Sequence, residues 1–187
     1  MLRIALPSKG RLAEQSLRLL RDAGIPVEPD GRRLRLPLGE LRMEVLLARA
    51  DDIPVLVEDG AAHAGIAGGN QIVESDAAVD VLLRLGFGRC RLALAVPDGR
   101  DVQATADLAG RRIATSYPRT VTAFLAARGV DAHLVAISGS VELAPSLGAA
   151  DAIADLVSSG ETLRQNGLRE LETVSYTHLT LPTKRIV

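Results

Sequence analysis

The sequence has few aromatic residues, a single cysteine and almost no lysine. Its 187 residues include two Phe, two Tyr and no Trp, so flat surfaces on which a purine or nicotinamide ring could stack are scarce. The single cysteine excludes a disulfide framework and a multi-cysteine zinc or iron–sulfur site. A formal net charge of -1 excludes the strong positive field of a dedicated nucleic-acid-binding protein.

Long hydrophobic runs are missing as well. No apolar stretch approaches the roughly 20 residues that a bilayer-spanning helix needs, and the first residues lead into a strand-like run without a signal-peptide pattern. We therefore expect a cytoplasmic protein with no membrane partner. What is present, 47% hydrophobic and 24% charged residues, is typical of a globular protein, and the length suits one domain or two small lobes.

Short apolar runs alternate with segments of helical spacing along most of the chain. Residues 2–6 form a strand-like run, residues 12–23 repeat apolar side chains at helical spacing, and residues 34–47 predict a β-hairpin. The same alternation returns between residues 112 and 167. Because strands separated by helices favour a parallel sheet covered on both faces, we expect an α/β fold.

The segment around residues 86–88 divides the chain into two predicted lobes. We predict a first α/β lobe over residues 1–88 and a second over residues 89–172. Residues 173–187 differ in composition from what precedes them, with four threonines and Lys184. We interpret this tail as a non-native ending. The alternative is a genuine final strand and loop.

The most specific motif lies in residues 148–163. Asp151 and Asp155 stand four apart in an apolar strand, and residues at that spacing share a face. Buried carboxylates are costly unless they are satisfied, and the hydroxyls of a sugar diol can donate to them. The small residues 158–160 then lead into a helix, where free backbone N–H groups favour a phosphate. Together these features predict a ribose-5-phosphate site, although the loop alone also fits an ordinary helix cap.

Basic residues follow two other strands. Lys9 and Arg11 come directly after the first strand, with Gly10 allowing close backbone approach, and Arg49 stands at a second strand-to-helix junction. A lysine point charge and arginine forks suit a polyphosphate, but each of these side chains also fits a solvated loop. The three histidines have no metal-ligand spacing, and no Ser–His–Asp order or Gly-x-Ser-x-Gly motif supports a hydrolase.

Six separated segments carry a family resemblance, in this order along the chain: residues 4–12, 49–54, 65–68, 85–88, 139–145 and 151–163. They resemble the ATP phosphoribosyltransferases, which catalyse the first step of histidine biosynthesis. The resemblance runs from Ile4 to about Glu172, and the length resembles the short form of the family. That form lacks a C-terminal regulatory domain and works with a separate regulatory subunit resembling histidyl-tRNA synthetase.

The resemblance implies a two-lobed α/β fold of the type II periplasmic-binding-protein kind, with the active site in the cleft between the lobes. It also implies that the C-terminal segment completes the first lobe, so that residues 173–187 would stand in place of the C-terminal part of that lobe. It implies a pentosyltransferase in which N1 of ATP displaces pyrophosphate from C1 of phosphoribosyl pyrophosphate (PRPP), giving phosphoribosyl-ATP. Mg2+ would be held by substrate oxygens and waters, with no protein cage. Glu142 is a candidate partner of this ion beyond its direct ligands.

The same resemblance places the roles of individual residues. Asp151 and Asp155 would be the catalytic carboxylates on the ribose hydroxyls and its developing charge. The 5-phosphate would lie on Ser158, Ser159, Gly160, Glu161 and Thr162. Lys9, Arg11 and Arg49 would bind the pyrophosphate or the phosphates of ATP.

Two other functions fit parts of the sequence. One is a non-catalytic ligand-binding module of the same lobe architecture, and the other is a phosphoribosyltransferase that acts on a free base. Fold alone does not separate an enzyme from a binding protein. The paired aspartates next to a phosphate loop favour the enzyme, because a receptor for amino acids or inorganic anions does not need them.

Overall fold

The computed structural model describes residues 1–29 and 31–185. The chain forms two compact units. Unit 1 consists of Met1–Gly88 and His178–Val187, and unit 2 consists of Arg89–Thr177. Within the described residues, none of the helices combines the length and the hydrophobicity that crossing a membrane would require.

Unit 1 is a mixed sheet with helices against it. Its helices are α1 (Gly10–Asp22), α2 (Ile53–Glu58) and α3 (Gly69–Ser75). Its strands are β1 (Leu2–Pro7), β2 (Arg35–Leu38), β3 (Met43–Ala48), β4 (Ala64–Gly65), β5 (Ala67–Gly68), β6 (Val79–Arg84) and, from the end of the chain, β12 (Leu179–Lys184).

Strand β1 lies inside this sheet, where it pairs in parallel with β3 and β4. The strand order is β2-β3-β1-β4-β12-β5, and β6 pairs with β12. A strand with neighbours on both sides and covered faces reads as an apolar run, which explains why residues 4–7 are so apolar. Helix α1 buries Ala13, Ser16 and Leu20, three or four residues apart, which is the spacing of one helix face.

Unit 2 contains a sheet of order β11-β7-β10-β8-β9. It also carries short 3-10 turns at residues 105–108 and 141–143. Its helices are α4 (Pro118–Ala126) and α5 (Glu161–Gln165). Its strands are β7 (Cys90–Pro97), β8 (Arg112–Thr115), β9 (His133–Ala136), β10 (Ala152–Val157) and β11 (Leu168–Thr177).

The two faces of the unit 2 sheet pack into separate cores. In β7, Leu92 and Leu94 belong to one core, while Ala93 and its neighbour two residues on belong to the other, together with Ile153 and Val157 of β10. Alternate residues of a strand point to opposite faces. Asp155 therefore projects from the same face as Ile153 and Val157.

The expected parallel sheet is wrong in one respect, since both sheets are mixed. Strands β7 and β10 are antiparallel, β11 runs antiparallel to β7, and β12 runs antiparallel to its neighbours. Apolar patterning predicts that a segment is a strand, but it does not encode the direction of its neighbour. The apolar pattern of the sequence does not predict strand β11, because two register irregularities, at residues 170–172 and 173–175, break its two-residue period.

The tail is divided between the two units: residues 173–177 complete β11 of unit 2, and Leu179–Lys184 form β12 of unit 1. Strand β12 pairs with β4, β5 and β6, and its residues Leu179 and Thr180 are buried. Leu179 lies in the same core as Leu6 and Leu20. These residues thus form a strand, as the alternative interpretation of the tail expects, while their non-native origin stays a prediction.

Candidate functional site

A pocket of about 240 Å³ opens at the carboxyl end of β10. Its lining consists of Glu142 and the consecutive residues 155–163. The strand end, the loop 158–160 and the start of α5 therefore form one cavity, at the strand end where open sheets usually bind ligands. Its volume is below that of a pocket for a whole drug-sized ligand and suits a smaller group such as a sugar phosphate.

The loop over this pocket needs a glycine at position 160. Gly160 has φ +80°, in the left-handed region, and a Cβ there would lie 3.4 Å from Arg164 Nη1 and 3.9 Å from Val157 Cγ1. Among the residues that the structure describes, the N–H groups of Ser159 and Gly160 make no hydrogen bond to another residue. They are available to an anion.

Glu161 begins α5 and lines the pocket. Glu161 has its carboxylate bound by Arg164 Nη2 at 2.6 Å and by Gln165 Nε2 at 3.0 Å. Its N–H lies 3.4 Å from Ser159 Oγ. Because the Glu161 side chain is paired within the helix, its contribution to an anion site would come from its backbone N–H. Thr162 also lines the pocket.

Asp155 is one of the acidic residues that line this pocket. Its carboxylate accepts a hydrogen bond from the Leu156 N–H at 2.7 Å. Burial raises the pKa of Asp155, the Leu156 hydrogen bond opposes this, and the charge of Glu142 raises the pKa further. No Lys or Arg within residues 1–29 or 31–185 forms an ion pair with it. A ligand that donates hydrogen bonds, such as a vicinal diol, would stabilise a buried carboxylate that has no cationic partner.

Asp151 does not lie in the pocket. It stands in a bend before β10, where its carboxylate accepts the Arg112 N–H at 3.0 Å. It also pairs with Arg100 Nη1 at 3.5 Å and Arg112 Nε at 3.7 Å. The Arg112 N–H, followed by the charges of Arg112 and Arg100, lowers the pKa of Asp151. Four strand residues span about 13 Å, so Asp151 lies at the other end of β10 from the pocket, and the joint role of the two acids stays a prediction.

We expect Asp151→Asn to lower stability at neutral pH by about 1 kcal/mol, because it removes a charged hydrogen-bond acceptor. The pKa of Asp151 is lowered in the folded state, so its stabilising contribution is present above the ordinary pKa and is lost as the pH falls through the folded value. Thermal unfolding from neutral to acidic pH measures this. A deficit that persisted unchanged in acid would contradict it.

The predicted basic residues lie together at one edge of the unit 1 sheet. The parallel strands β1 and β3 end in register at Pro7 and Ala48, and Lys9 and Arg49 follow directly, both exposed. Arg49 Nη2 lies 3.8 Å from Asp51 Oδ2, a solvated pair. Arg11 is exposed in the first turn of the 13-residue helix α1, a turn without acidic residues. This edge therefore suits an anion.

Sequence reasoning missed Arg91 of β7. Its guanidinium Nη1 lies 3.3 Å from the Ser158 carbonyl oxygen, 67 positions away in the sequence. The one sequence signal is an arginine inside the apolar run of residues 90–97.

Solved structures place the chain in a known class, the two-lobed α/β proteins of the type II periplasmic-binding-protein fold. The alkanesulfonate-binding protein SsuA from Xanthomonas axonopodis pv. citri matches 98% of this chain and 65% of its own, with a TM-score of 0.59 and 16% identity. This likeness is one of fold alone. It confirms the expected fold class.

The chain belongs to the ATP phosphoribosyltransferase family. The profile of that family, described as HisG, ATP phosphoribosyltransferase, matches residues 49–186. The ATP phosphoribosyltransferase of Parabacteroides distasonis is 48% identical over 174 residues, which are 93% of this chain and 62% of the relative. The ATP phosphoribosyl transferase (HisG:HisZ) complex from Thermotoga maritima matches with a TM-score of 0.84 and 28% identity, over 98% of this chain and 88% of that one.

The chain spans about three fifths of the length of the curated relatives it matches, for example 61% of the Methanopyrus kandleri protein, which is 47% identical. The family profile includes β12, since its match runs to residue 186.

Proposed function

We propose that the chain transfers a phosphoribosyl group from PRPP to N1 of ATP, giving phosphoribosyl-ATP and pyrophosphate, the first step of histidine biosynthesis. One observation carries the proposal: Asp155, a carboxylate without a cationic partner in the described residues, lies in one pocket with the loop 158–160 and its unpaired N–H groups. In a chain of this family, that pairing fits a sugar diol and the phosphate attached to the same sugar.

Asp155 would act on the ribose. In the proposed transition state, positive charge develops on the sugar ring while pyrophosphate departs, and a nearby carboxylate stabilises that charge. N1 of adenine already carries a lone pair, so no strong general base is needed. Catalysis then consists mainly of positioning and electrostatic stabilisation. We propose this role for Asp155 alone, because Asp151 is bound to Arg112 and Arg100.

Two sets of residues would hold phosphates. The 5-phosphate of PRPP would be held by the backbone N–H groups of residues 159–161 and the hydroxyls of Ser158 and Thr162. The pyrophosphate or the phosphates of ATP would be held by Lys9, Arg11 and Arg49. A dense negative charge is matched there by a lysine point charge and arginine forks at the start of a helix.

We propose that Mg2+ enters with the substrates. Within the described residues, no group of three or more His, Cys, Asp or Glu side chains is placed to hold a metal ion. The carboxylates of Asp155 and Glu142 share the pocket and are oxygen ligands of the kind Mg2+ accepts. When bound, the ion would neutralise charge on the departing pyrophosphate. Asp155 and Glu142 would then contact it directly or through water.

We further propose that the chain is a short-form catalytic subunit that works with a separate regulatory subunit resembling histidyl-tRNA synthetase. The Thermotoga maritima neighbour is a HisG:HisZ complex, which supports a hetero-oligomer of this kind. Activity measured with and without a HisZ-type subunit tests it, since a regulated assembly should change its turnover on addition of that subunit.

The proposed reaction is tested by pyrophosphate release from PRPP and Mg2+, with ATP or adenine as the acceptor. We expect release with ATP and essentially none with adenine, together with a product absorbing as an N1-substituted adenine nucleotide. Release with adenine alone would favour a phosphoribosyltransferase for a free base. Binding of PRPP without release in either arm, HisZ-type subunit included, would favour a ligand-binding module.

A further inference from the structure

Arg91 connects the sheet of unit 2 to the loop over the pocket. It is paired with Val157 in the antiparallel ladder of β7 and β10, so it stands beside the last strand residue before the loop. Residues two apart in a strand share a face, and Arg91 is therefore on the face that carries Ala93 and, across the ladder, Asp155. Its guanidinium Nη1 donates to the Ser158 carbonyl at 3.3 Å.

The guanidinium is held from its other side by Glu170 of β11. Arg91 Nε donates to the two carboxylate oxygens at 2.8 and 3.1 Å, and Arg91 Nη2 donates at 2.5 Å. Thr173 Oγ1 adds a hydrogen bond to Glu170 at 3.2 Å. Forked arginine–carboxylate pairs fix geometry as well as charge, and each side chain here is only 28% exposed. The remaining donor of Arg91 is thereby aimed at the loop.

This contact is made by the carbonyl of the peptide between Ser158 and Ser159. A trans peptide is planar, with its C=O and N–H on opposite sides. With the Ser158 carbonyl turned to Arg91, the Ser159 N–H points away from Arg91. If the peptide turned over, it would withdraw that donor and present the carbonyl oxygen, a partial negative charge, in its place. An anion in the loop would then lose a hydrogen bond and gain a repulsion.

We propose that Arg91 is a positioning residue for phosphate binding: by holding the Ser158 carbonyl, it keeps the Ser158–Ser159 peptide in the orientation that directs an N–H to the 5-phosphate of the sugar. The inference rests on the proposed function for the identity of the ligand. Glu170 takes part as the group that aims Arg91. If Arg91 has this positioning role, its replacement changes phosphate affinity. An ion pair that only joined neighbouring strands of the sheet would not have that effect.

Unit 2 provides a matched control, a second arginine whose carboxylate partner also lies on β11. Arg128 Nε and Nη2 donate to Glu172 of β11 at 3.1 and 2.6 Å, and Arg128 Nη1 lies 3.4 Å from the Phe124 carbonyl. This pair is also partly exposed, at 39% and 38%. It joins β11 to α4 and makes no contact with the loop. Arg128→Gln therefore removes a similar arginine–carboxylate–carbonyl group that makes no contact with the phosphate loop, together with the cation–π contact of Arg128 over the Phe124 ring, 3.6 Å from the ring centroid.

The experiment compares the full chain with its Arg91→Gln, Arg91→Lys and Arg128→Gln variants. Binding of ribose 5-phosphate is titrated by the amide NMR signals of Ser159 and Gly160, and the KM for PRPP and kcat are measured with ATP. We expect Arg91→Gln to weaken ribose 5-phosphate binding about tenfold and to raise the KM for PRPP about tenfold. It should also shift the NMR signals of both amides in the absence of ligand. Arg91→Lys should recover part of the affinity, and Arg128→Gln should stay within twofold of the parent chain.

Equal affinities and unchanged Ser159 and Gly160 signals in Arg91→Gln would overturn the proposal, as would equal losses in Arg91→Gln and Arg128→Gln. The proposed function fails separately. A parent chain that binds ribose 5-phosphate at the loop but releases no pyrophosphate with ATP would contradict the reaction, while the titrations still decide the role of Arg91. Arg91→Lys guards against a folding defect, because it keeps the positive charge beside Glu170.

Discussion

Replacing Asp155 with asparagine should lower turnover at least about 100-fold and, at neutral pH, raise the midpoint of thermal unfolding. The loss of turnover follows from removal of the negative charge that is proposed to stabilise the sugar in the transition state. ATP binding should change little, because the phosphate-binding residues of unit 1 are untouched. Turnover and the Kd for ATP measure the first effect, and calorimetry measures the second.

The gain in stability follows from the direction in which the pKa of Asp155 is shifted. Burial raises that pKa, so the folded state binds the proton more tightly than the unfolded state, and stability falls as the pH rises between the unfolded and the folded values. The advantage of asparagine should therefore be complete above the folded pKa of Asp155 and should shrink as the pH approaches the ordinary value of about 3.9. Such an exchange of stability for activity is common at active sites.

Asp151→Asn is the matched control, since it makes the same substitution four residues earlier. It should leave turnover within a few-fold of the parent chain and lower the unfolding midpoint, the opposite sign to Asp155→Asn. Normal turnover in Asp155→Asn would remove the proposed role of that carboxylate. Loss of turnover in Asp151→Asn, with its fold intact, would restore the expectation that both acids serve the reaction.

Leu179→Ala should reduce the free energy of unfolding of unit 1 by about 2 to 5 kcal/mol, the usual cost of cutting back a fully buried leucine. Leu179 is 1% exposed and packs in the core with Leu6 and Leu20. Its Cγ would lie 2.9 Å from a Cβ built on Gly88, which shows how closely the chain approaches it. The loss is a large part of the total stability of a typical domain, about 5 to 15 kcal/mol.

The optical probes of this chain separate the two units. Both tyrosines, Tyr117 and Tyr176, belong to unit 2 and there is no tryptophan, so tyrosine fluorescence follows unit 2 while far-ultraviolet circular dichroism follows both. We expect Leu179→Ala to shift the circular dichroism transition towards weaker denaturing conditions before it affects the transition followed by tyrosine fluorescence. Leu82→Ala, at a side chain that is 63% exposed, should stay within about 0.5 kcal/mol of the parent chain. Equal midpoints for the two variants would mean that β12 does not pack as described.

Local features of the site could be predicted from the sequence. Asp155 and residues 158–162 are consecutive or nearly so, and a strand followed by a small-residue turn and a helix brings them together whatever surrounds them. The structure groups them in one pocket. Their roles toward a substrate stay predictions. The same holds at the unit 1 edge, where parallel pairing of β1 and β3 brings Lys9 and Arg49 to neighbouring strand ends.

Features that depend on distant pairing could not be predicted. Two residues on one strand face need not lie at one site: about 13 Å of strand separates Asp151 from Asp155, and Asp151 is held by the Arg112 N–H. Arg91 and Ser158 meet only because β7 and β10 are neighbours. Their contact needs the strand order, which apolar periodicity does not contain. The direction of β11 and β12 escaped prediction for the same reason.

Unit 1 is formed by two separate parts of the chain, and this has a consequence for folding during translation. Unit 2 is one uninterrupted stretch, whereas the sheet of unit 1 takes β12 between β4 and β5. A ribosome adding roughly 5 to 20 residues per second releases the middle of the polypeptide before that strand emerges. Unit 2 can thus mature first, while the nascent N-terminal half waits with open strand edges, the surfaces most prone to aggregation. Chaperone demand during translation should therefore centre on the first 88 residues.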